Sequence, residues 1–383
     1  MVNCMKSKKI LSFMDLNAQQ KRLNNKITKR INNVLDHGKY IMGPEVKELE
    51  MSIKNYTNAK HVISCANGTD ALLLALMAYK IGPGDAVFCP TFTFPATAEV
   101  ISLLGATPIF VDVDKNTFNI CENDLKNAIS FISKNNQLKM KAIIAVDLYG
   151  LPANYKSLKN IANENNLYLI ADAAQSFGAS YENRKVGTLA DITCISFFPA
   201  KPLGCYGDGG ALICDDKEIA NNLQSLRVHG KGNSKYEINH IGLNSRLDTI
   251  QAAILLAKLE EFDWEVSMRN KIATKYTEQL NSLITTPILP NESDSVWAQY
   301  TIKHEKRDHI QKLLNTAGVP SMVYYPIPMH MQNAYKKYNI DSRALPNAEY
   351  LSKNVLSLPM YPDMQPEDQD YIIEELTKII STL

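Results

Sequence analysis

The sequence contains no C-x-x-C pair and no G-x-G-x-x-G turn, it carries no excess charge of either sign, and no run approaches the ~18 apolar residues of a membrane helix. Each absence removes a class of protein. The seven cysteines (Cys4, Cys65, Cys89, Cys121, Cys194, Cys205, Cys214) are odd in number and scattered. They read as reduced, mostly buried thiols, not as a disulfide framework or a zinc site. With 41 Lys+Arg against 40 Asp+Glu the formal charge is +1, which argues against holding nucleic acid by neutralising its phosphates. A local cluster can still bind a small anion. Lys6 to Lys9, followed by Ile10-Leu11-Ser12-Phe13-Met14, resembles a secretory leader only until Asp15 ends the apolar run. Neither Gly82-Pro83-Gly84 nor Gly207-Asp208-Gly209-Gly210 supplies the turn a dinucleotide-dependent oxidoreductase needs. The expectation is a soluble, cytoplasmic protein with no metal and no contact with nucleic acid or membrane.

What is present is an ordinary globular balance, 45% hydrophobic and 21% charged over 383 residues, enough for two or three domains. A polar helical stretch runs from Leu16 to Leu35 and breaks between Gly38 and Pro44. From about residue 60 to 215, apolar strand candidates at 61–65, 86–89, 108–113, 142–148, 167–171, 192–196 and 211–214 alternate with helical patterns at 69–80, 96–104, 123–133 and 156–165. That rhythm predicts an α/β fold with a mainly parallel sheet flanked by helices. After Gln251 a long helix over about 248–281 is expected. Strands near 297–303 and 321–325, a helix near 307–316 and a closing helix at 366–381 would follow it. The expected division is a large domain over 1–250, opening with a helical segment over about 1–45, and a smaller α+β domain over 251–383.

Ligands of such sheets sit beyond the carboxyl ends of the strands, and four stations lie there. Ser64-Cys65-Ala66-Asn67-Gly68-Thr69-Asp70 opens a helix; its free N–H groups suit a phosphate, or Asn67, Thr69 or Asp70 simply caps the helix. Pro90-Thr91-Phe92-Thr93-Phe94-Pro95-Ala96-Thr97 offers an aromatic that could stack on a flat ring or belong to the core. Asp172 ends a buried strand and must find a partner, either a local cap or a cationic ligand atom. Lys201 lies in the Gly- and Pro-rich turn from Ser196 to Gly210. It either reaches solvent or is desolvated into a nucleophilic amine. Each station is weak alone. Together, a phosphate cup, a stacking aromatic, a carboxylate for a protonated ring nitrogen and a Schiff-base lysine are the contacts that pyridoxal 5′-phosphate demands.

At these residues the chain closely resembles sugar-nucleotide aminotransferases of the DegT/StrS type, members of the fold-type I pyridoxal-phosphate enzymes. The resemblance runs from Phe13-Met14-Asp15-Leu16 and Gly38-Lys39-Tyr40-Ile41-Met42-Gly43-Pro44-Glu45 to Ser357-Leu358-Pro359-Met360, and is most specific at 65–73, 172–179, 196–210 and 242–253. It implies that Lys201 carries the cofactor and shuttles the proton, that Asp172 pairs with the pyridine nitrogen, and that Phe94 stacks on the ring. Gly68, Thr69 and Ser196 would hold the phosphate and Gln175 would lie near the ring hydroxyl. Asn244, in Gly242-Leu243-Asn244-Ser245-Arg246-Leu247-Asp248, would reach the phosphate from a neighbouring subunit, making a homodimer obligatory. Read bare, Asn244 is a surface-loop residue.

The implied reaction is ping-pong. L-Glutamate leaves as 2-oxoglutarate, and the amine then passes to a nucleotide-linked keto sugar. The stretch around Lys201 looks most like enzymes that aminate C3 of UDP-2-acetamido-3-keto-glucuronate for O-antigen and other lipopolysaccharide sugars. Arg246 could bind the uronate carboxylate, or pair with Asp248 or a partner subunit. Where those enzymes commonly read His-Tyr-Pro-Ile-Pro, this chain has Tyr324-Tyr325-Pro326-Ile327-Pro328, while His330 and Gln332 echo relatives that aminate neutral 3-keto-6-deoxyhexoses. Tyr324, Tyr325 and His330 are therefore set with Arg246 as substrate-side residues. A sugar dehydratase of this fold would carry histidine in place of Lys201, and a non-catalytic regulator would need no intact cofactor set.

Overall fold

Residues 11–135, 137–234, 236–339 and 343–383 are described by the structure, a computed structural model. Cys4 and the basic stretch Lys6 to Lys9 lie outside them. Helix α1 (Leu16–His37) starts where Asp15 Oδ1 accepts the Ala18 amide at 3.0 Å, and ends on Gly38, whose φ of 66° is the left-handed stop. A second helix, α2 (Pro44–Thr57), follows with proline in its first turn. The sequence alone marks only the break before it.

The expected alternation then appears in full: β1 (His61–Cys65), α3 (Gly68–Ala78), β2 (Asp85–Pro90), α4 (Ala96–Leu103), β3 (Thr107–Val111), α5 (Glu122–Asn135), β4 (Lys139–Val146), α6 (Tyr155–Glu164) and β5 (Tyr168–Asp172). After the short β6 (Ser180–Tyr181) and β7 (Arg184–Lys185) come β8 (Ile192–Ser196), β9 (Gly210–Cys214) and α7 (Lys217–Leu226). Seven strands form one sheet in the order β1-β9-β8-β5-β4-β2-β3, and β9 alone runs against the rest. Alternate residues feed opposite faces, as the pleat requires. Val87, Ile144 and Ile170 pack under α3, α4 and α7 with Leu72, Ile101 and Leu223, whereas Phe88, Ile143 and Leu169 pack under α5 and α6 with Leu125, Ile129 and Leu158. Both faces are covered, which is why the strands read as nearly unbroken apolar runs.

The chain closes through α8 (Thr249–Leu259), α9 (Phe262–Leu280), β10 (Ser293–Asp294), β11 (Tyr300–Lys303), α10 (Arg307–Thr316), α11 (Pro346–Asn354), β12 (Val355–Leu358) and α12 (Pro366–Ser381). β10 joins β6 and β7 in a three-stranded ribbon, and β11 pairs antiparallel with β12. Around β11 and β12, Tyr276, Tyr300, Ile310, Leu314, Ile372 and Leu376 form a separate apolar cluster.

Two expectations need correction. The helix over 248–281 is two helices with a break at Glu260–Glu261: Leu255 and Leu256 of α8 pack with Ile195 and Ile213 of the large sheet, whereas Ile272 and Tyr276 of α9 join the second cluster. One straight rod cannot serve both. The stretch 321–325 is not a strand, and only Met322 pairs, with Ser357. Pro320, Pro326 and Pro328 cannot donate to a ladder, and the Tyr324 carbonyl instead accepts the Tyr149 hydroxyl.

Candidate active site

Asp172 is the last residue of β5 and its carboxylate is buried. Oδ2 accepts from Thr97 Oγ1 at 2.8 Å, and Oδ1 accepts the Ala174 amide at 3.3 Å. Because Thr97 spends its proton on Asp172, the 3.0 Å contact between Thr93 Oγ1 and Thr97 Oγ1 makes Thr93 the donor there. Burial pushes the Asp172 carboxyl up; the Thr97 bond, the nearby Lys201 charge and the Ala174 amide pull it back. Asp172 does cap its own turn, yet among the described residues no lysine or arginine forms an ion pair with it, and its remaining lone pairs are available to a cationic atom.

Lys201 sits in the segment 197–209 that joins β8 to β9, with its amide bonded to Phe198 O at 2.8 Å. Desolvation lowers its ammonium pKa and the Asp172 carboxylate opposes this. Lys201 is intermediate in exposure, and its amine is of the desolvated kind.

Beside it, the turn after β1 approaches the end of β8 so closely that a Cβ on Gly68 would stand 2.6 Å from Ser196 Cβ. Only glycine leaves that cradle open. Asn67 caps α3 through the Asp70 amide at 2.7 Å, as the plain reading expected. Helical geometry then leaves the Gly68 and Thr69 amides without an intrahelical acceptor, at the positive end of the helix dipole. A Gly68→Ala variant is expected to bind pyridoxal phosphate about tenfold more weakly, the cost of a ~1–3 kcal/mol overpacking, as read by titrating the visible band.

Phe94 follows β2 with its ring 54% exposed and 6.2 Å from the Tyr325 centroid. Gln175 is buried between Tyr149, whose amide it accepts at 2.7 Å, and Tyr325 Oη, to which it donates at 3.4 Å. Tyr324 stands T-shaped against Tyr325. Ser245 Oγ accepts the Ala66 amide at 3.2 Å, which brings the stretch containing Asn244 and Arg246 to the α3 turn. Asn244 is exposed there. Arg246 forms no ion pair with Asp248 or any other described residue, and its buried Nε has no acceptor.

His330 is engaged on both ring nitrogens, by Thr91 Oγ1 at 2.7 Å and by Glu349 at 3.5 Å. Thr91 Oγ1 already accepts the His330 amide; if it gives its own proton to Nδ1, the ring proton stays on Nε2, facing Glu349. His330 thus braces the segment after β2, and a sugar contact would have to displace one of these bonds.

Sequence reasoning missed three supporting residues. Thr93 and Thr97 lay inside the second station, and their spacing of four on the path into α4 was the signal. Asp147 follows β4 as Asp172 ends β5, with Val146 in register with Asp172. Fully buried, it accepts from the Ala153 amide and the hydroxyls of Tyr155 and Ser176 at 2.6–2.9 Å, and burial pushes its carboxyl up to about 7.

The acid, the desolvated amine and the glycine cradle at a helix N-terminus are a donor set that fits pyridoxal phosphate. Comparison with known proteins agrees. The model of the DegT/DnrJ/EryC1/StrS aminotransferase family matches residues 21–377. A UDP-2-acetamido-2-deoxy-3-oxo-D-glucuronate aminotransferase of Pseudomonas aeruginosa is 45% identical over 370 residues, 96% of this chain and 100% of the relative. A DegT/DnrJ/EryC1/StrS aminotransferase structure from Brucella abortus superposes with a TM-score of 0.95 at 47% identity, over 96% of this chain and 99% of that one. NtdA of Bacillus subtilis, solved with its cofactor PMP bound, gives 0.90 at 31% identity, over 98% of this chain and 86% of that one.

Proposed function

The chain belongs to the DegT/DnrJ/EryC1/StrS aminotransferase family, and from that premise we propose that it transfers an amino group from L-glutamate to C3 of UDP-2-acetamido-3-keto-glucuronate, in the cytoplasm, for O-antigen or another surface polysaccharide. The observation that carries this reading is the Lys201–Asp172 pair, a buried acid at the end of β5 and a desolvated amine in the segment that follows the neighbouring β8. The name of the P. aeruginosa relative supports the sugar.

Pyridoxal phosphate, when bound, supplies an aldehyde to carry the amino group and a ring that accepts electrons from the carbon losing its proton. Asp172 holds the proton on the ring nitrogen. Lys201 Nζ, its ammonium pKa lowered by desolvation, would take a proton from the reacting carbon in one half-reaction and return it in the other. The Gly68 and Thr69 amides and Ser196 Oγ would hold the phosphate, Phe94 would cover the ring, and Gln175, held against Tyr325, would serve the ring hydroxyl.

Asn244 reaches the site of a second copy, and the enzyme is a homodimer. Exposed apolar residues close to Asn244 in the chain support this, with Ile241 91% and Ile238 58% exposed, as does exposed Ile41, which bridges to Asp248. We keep a large cofactor-binding domain and a small C-terminal one. The packing of α8 on the sheet favours a division at Glu260–Glu261 over one at 250.

The unpartnered Arg246 guanidinium favours a uronate. Arg246→Ala is expected to slow the uronate about 10–100-fold more than a neutral sugar, the worth of charge-assisted hydrogen bonds. Equal losses would remove Arg246 as the carboxylate reader. The second reading, a UDP- or dTDP-linked neutral 3-keto or 4-keto-6-deoxy sugar, rests on Tyr324 standing where histidine is common. Lys201 itself speaks against a dehydratase or a regulator without catalysis. A panel of UDP- and dTDP-amino sugars, run in reverse with 2-oxoglutarate, tests the assignment. Turnover of 4-amino sugars alone would overturn it.

A further inference from the structure

α8 grips the Lys201 segment at two points. Gln251 Oε1 accepts the Tyr206 amide at 2.9 Å, and Lys258 Nζ donates to the Gly204 carbonyl at 2.6 Å. Seven residues apart, the two side chains leave the helix from one face, two turns from each other. What they hold is the neck of the turn. Cys205 N donates to Phe197 O at 2.8 Å, and Gly204 folds back so tightly that a Cβ there would lie 2.4 Å from Pro199 O and 2.7 Å from Phe198 O. Lys201 occupies the turn that this neck closes.

Lys258 is an expensive residue for its place. It is 1% exposed, and among the described residues no carboxylate lies within ion-pair distance, while besides Gly204 O its nitrogen meets the face of Tyr206 at 4.3 Å. Burial draws its ammonium down to about 8, with Glu265 and Cys205 opposing and Arg22 assisting. A methionine of similar length would fill the same apolar space without a charge to desolvate. Packing alone therefore does not account for a lysine here.

We propose that Lys258, together with Gln251, is a positioning residue that fixes the neck at Gly204–Tyr206 and so aims Lys201 Nζ at the cofactor aldehyde. The reading rests on Lys201 being the amine that captures the aldehyde: its nitrogen adds to the carbonyl carbon, water leaves and a C=N bond remains. The aldehyde cofactor needs that aim, whereas pyridoxamine phosphate, which has no aldehyde, does not.

The test compares the two. Full-length protein stripped of cofactor is titrated with pyridoxal phosphate and with pyridoxamine phosphate, and wild-type protein is reduced with borohydride and its modified lysine mapped. Lys258→Met is expected to weaken the aldehyde form about tenfold or more while the amine form stays within about twofold, a selective loss of ~1.4 kcal/mol. Gln251→Ala, which leaves no buried charge unpaired, is expected to do the same to a lesser degree and serves if Lys258→Met does not fold. Equal weakening of both forms, or of neither, would overturn the positioning role. Borohydride fixation at a lysine other than Lys201 would instead overturn the assignment on which it rests.

Discussion

Lys201→Ala protein should fold, bind pyridoxal phosphate without fixing it under borohydride, and turn over about 10⁴-fold or more slowly, the upper range for a lost general acid–base group. The effect is large because the proposed mechanism gives one nitrogen two tasks: covalent capture and proton transfer at the reacting carbon. The fold should survive because Lys201 makes only a backbone hydrogen bond, which alanine keeps, and removal of its ammonium leaves no partner stranded in an ion pair. Intact-mass measurement after reduction and the unfolding temperature read the two halves separately. A covalent adduct that persists in the variant would place the capture elsewhere.

Asp172→Asn isolates charge from shape. The amide oxygen can still accept from Thr97 Oγ1, which keeps the Thr93–Thr97 hydroxyl chain at the loss of the 3.3 Å bond from the Ala174 amide. The negative charge facing the ring nitrogen is lost. Turnover should fall about 10²–10³-fold, the scale of a preorganised electrostatic group, with little change in substrate KM. A second readout follows from sign. The Asp172 carboxylate raises the Lys201 pKa against the lowering by desolvation, so its removal lets the amine titrate lower still. In protein stripped of cofactor, the pH profile for labelling Lys201 with an amine-reactive reagent should move to lower pH in the variant. Near-normal turnover would remove Asp172 from the chemistry, and an unmoved profile would show that the two groups do not feel each other.

The strands were legible because burial on both faces leaves an unbroken apolar signature, and the stations were legible because strand ends in such a sheet are known places. What escaped had no comparable mark. Asp147 was absorbed into a strand candidate that ran to residue 148. Lys258 reads as an ordinary helix lysine until Gly204 is found 54 residues away in sequence at its tip. The break at Glu260–Glu261 falls within an uninterrupted helical pattern and is imposed by two separate cores, which periodicity does not register. His330 draws attention by its residue type, but its bonds to Thr91 and Glu349 belong to three-dimensional neighbours that no spacing announces.

The reversal of β9 has a consequence for how the lysine spends its freedom. Ser196 and Gly210 are Cα partners across antiparallel neighbours, so the chain leaves the sheet and re-enters it at points roughly 5 Å apart. A parallel crossover would have carried it away to the far end of the sheet. The Lys201 segment is instead a tethered ring of chain whose closure entropy is already spent when the protein folds. In the proposed reaction each cycle would have to order only the lysine side chain, and the sheet would not need to open or shift for the amine to come and go.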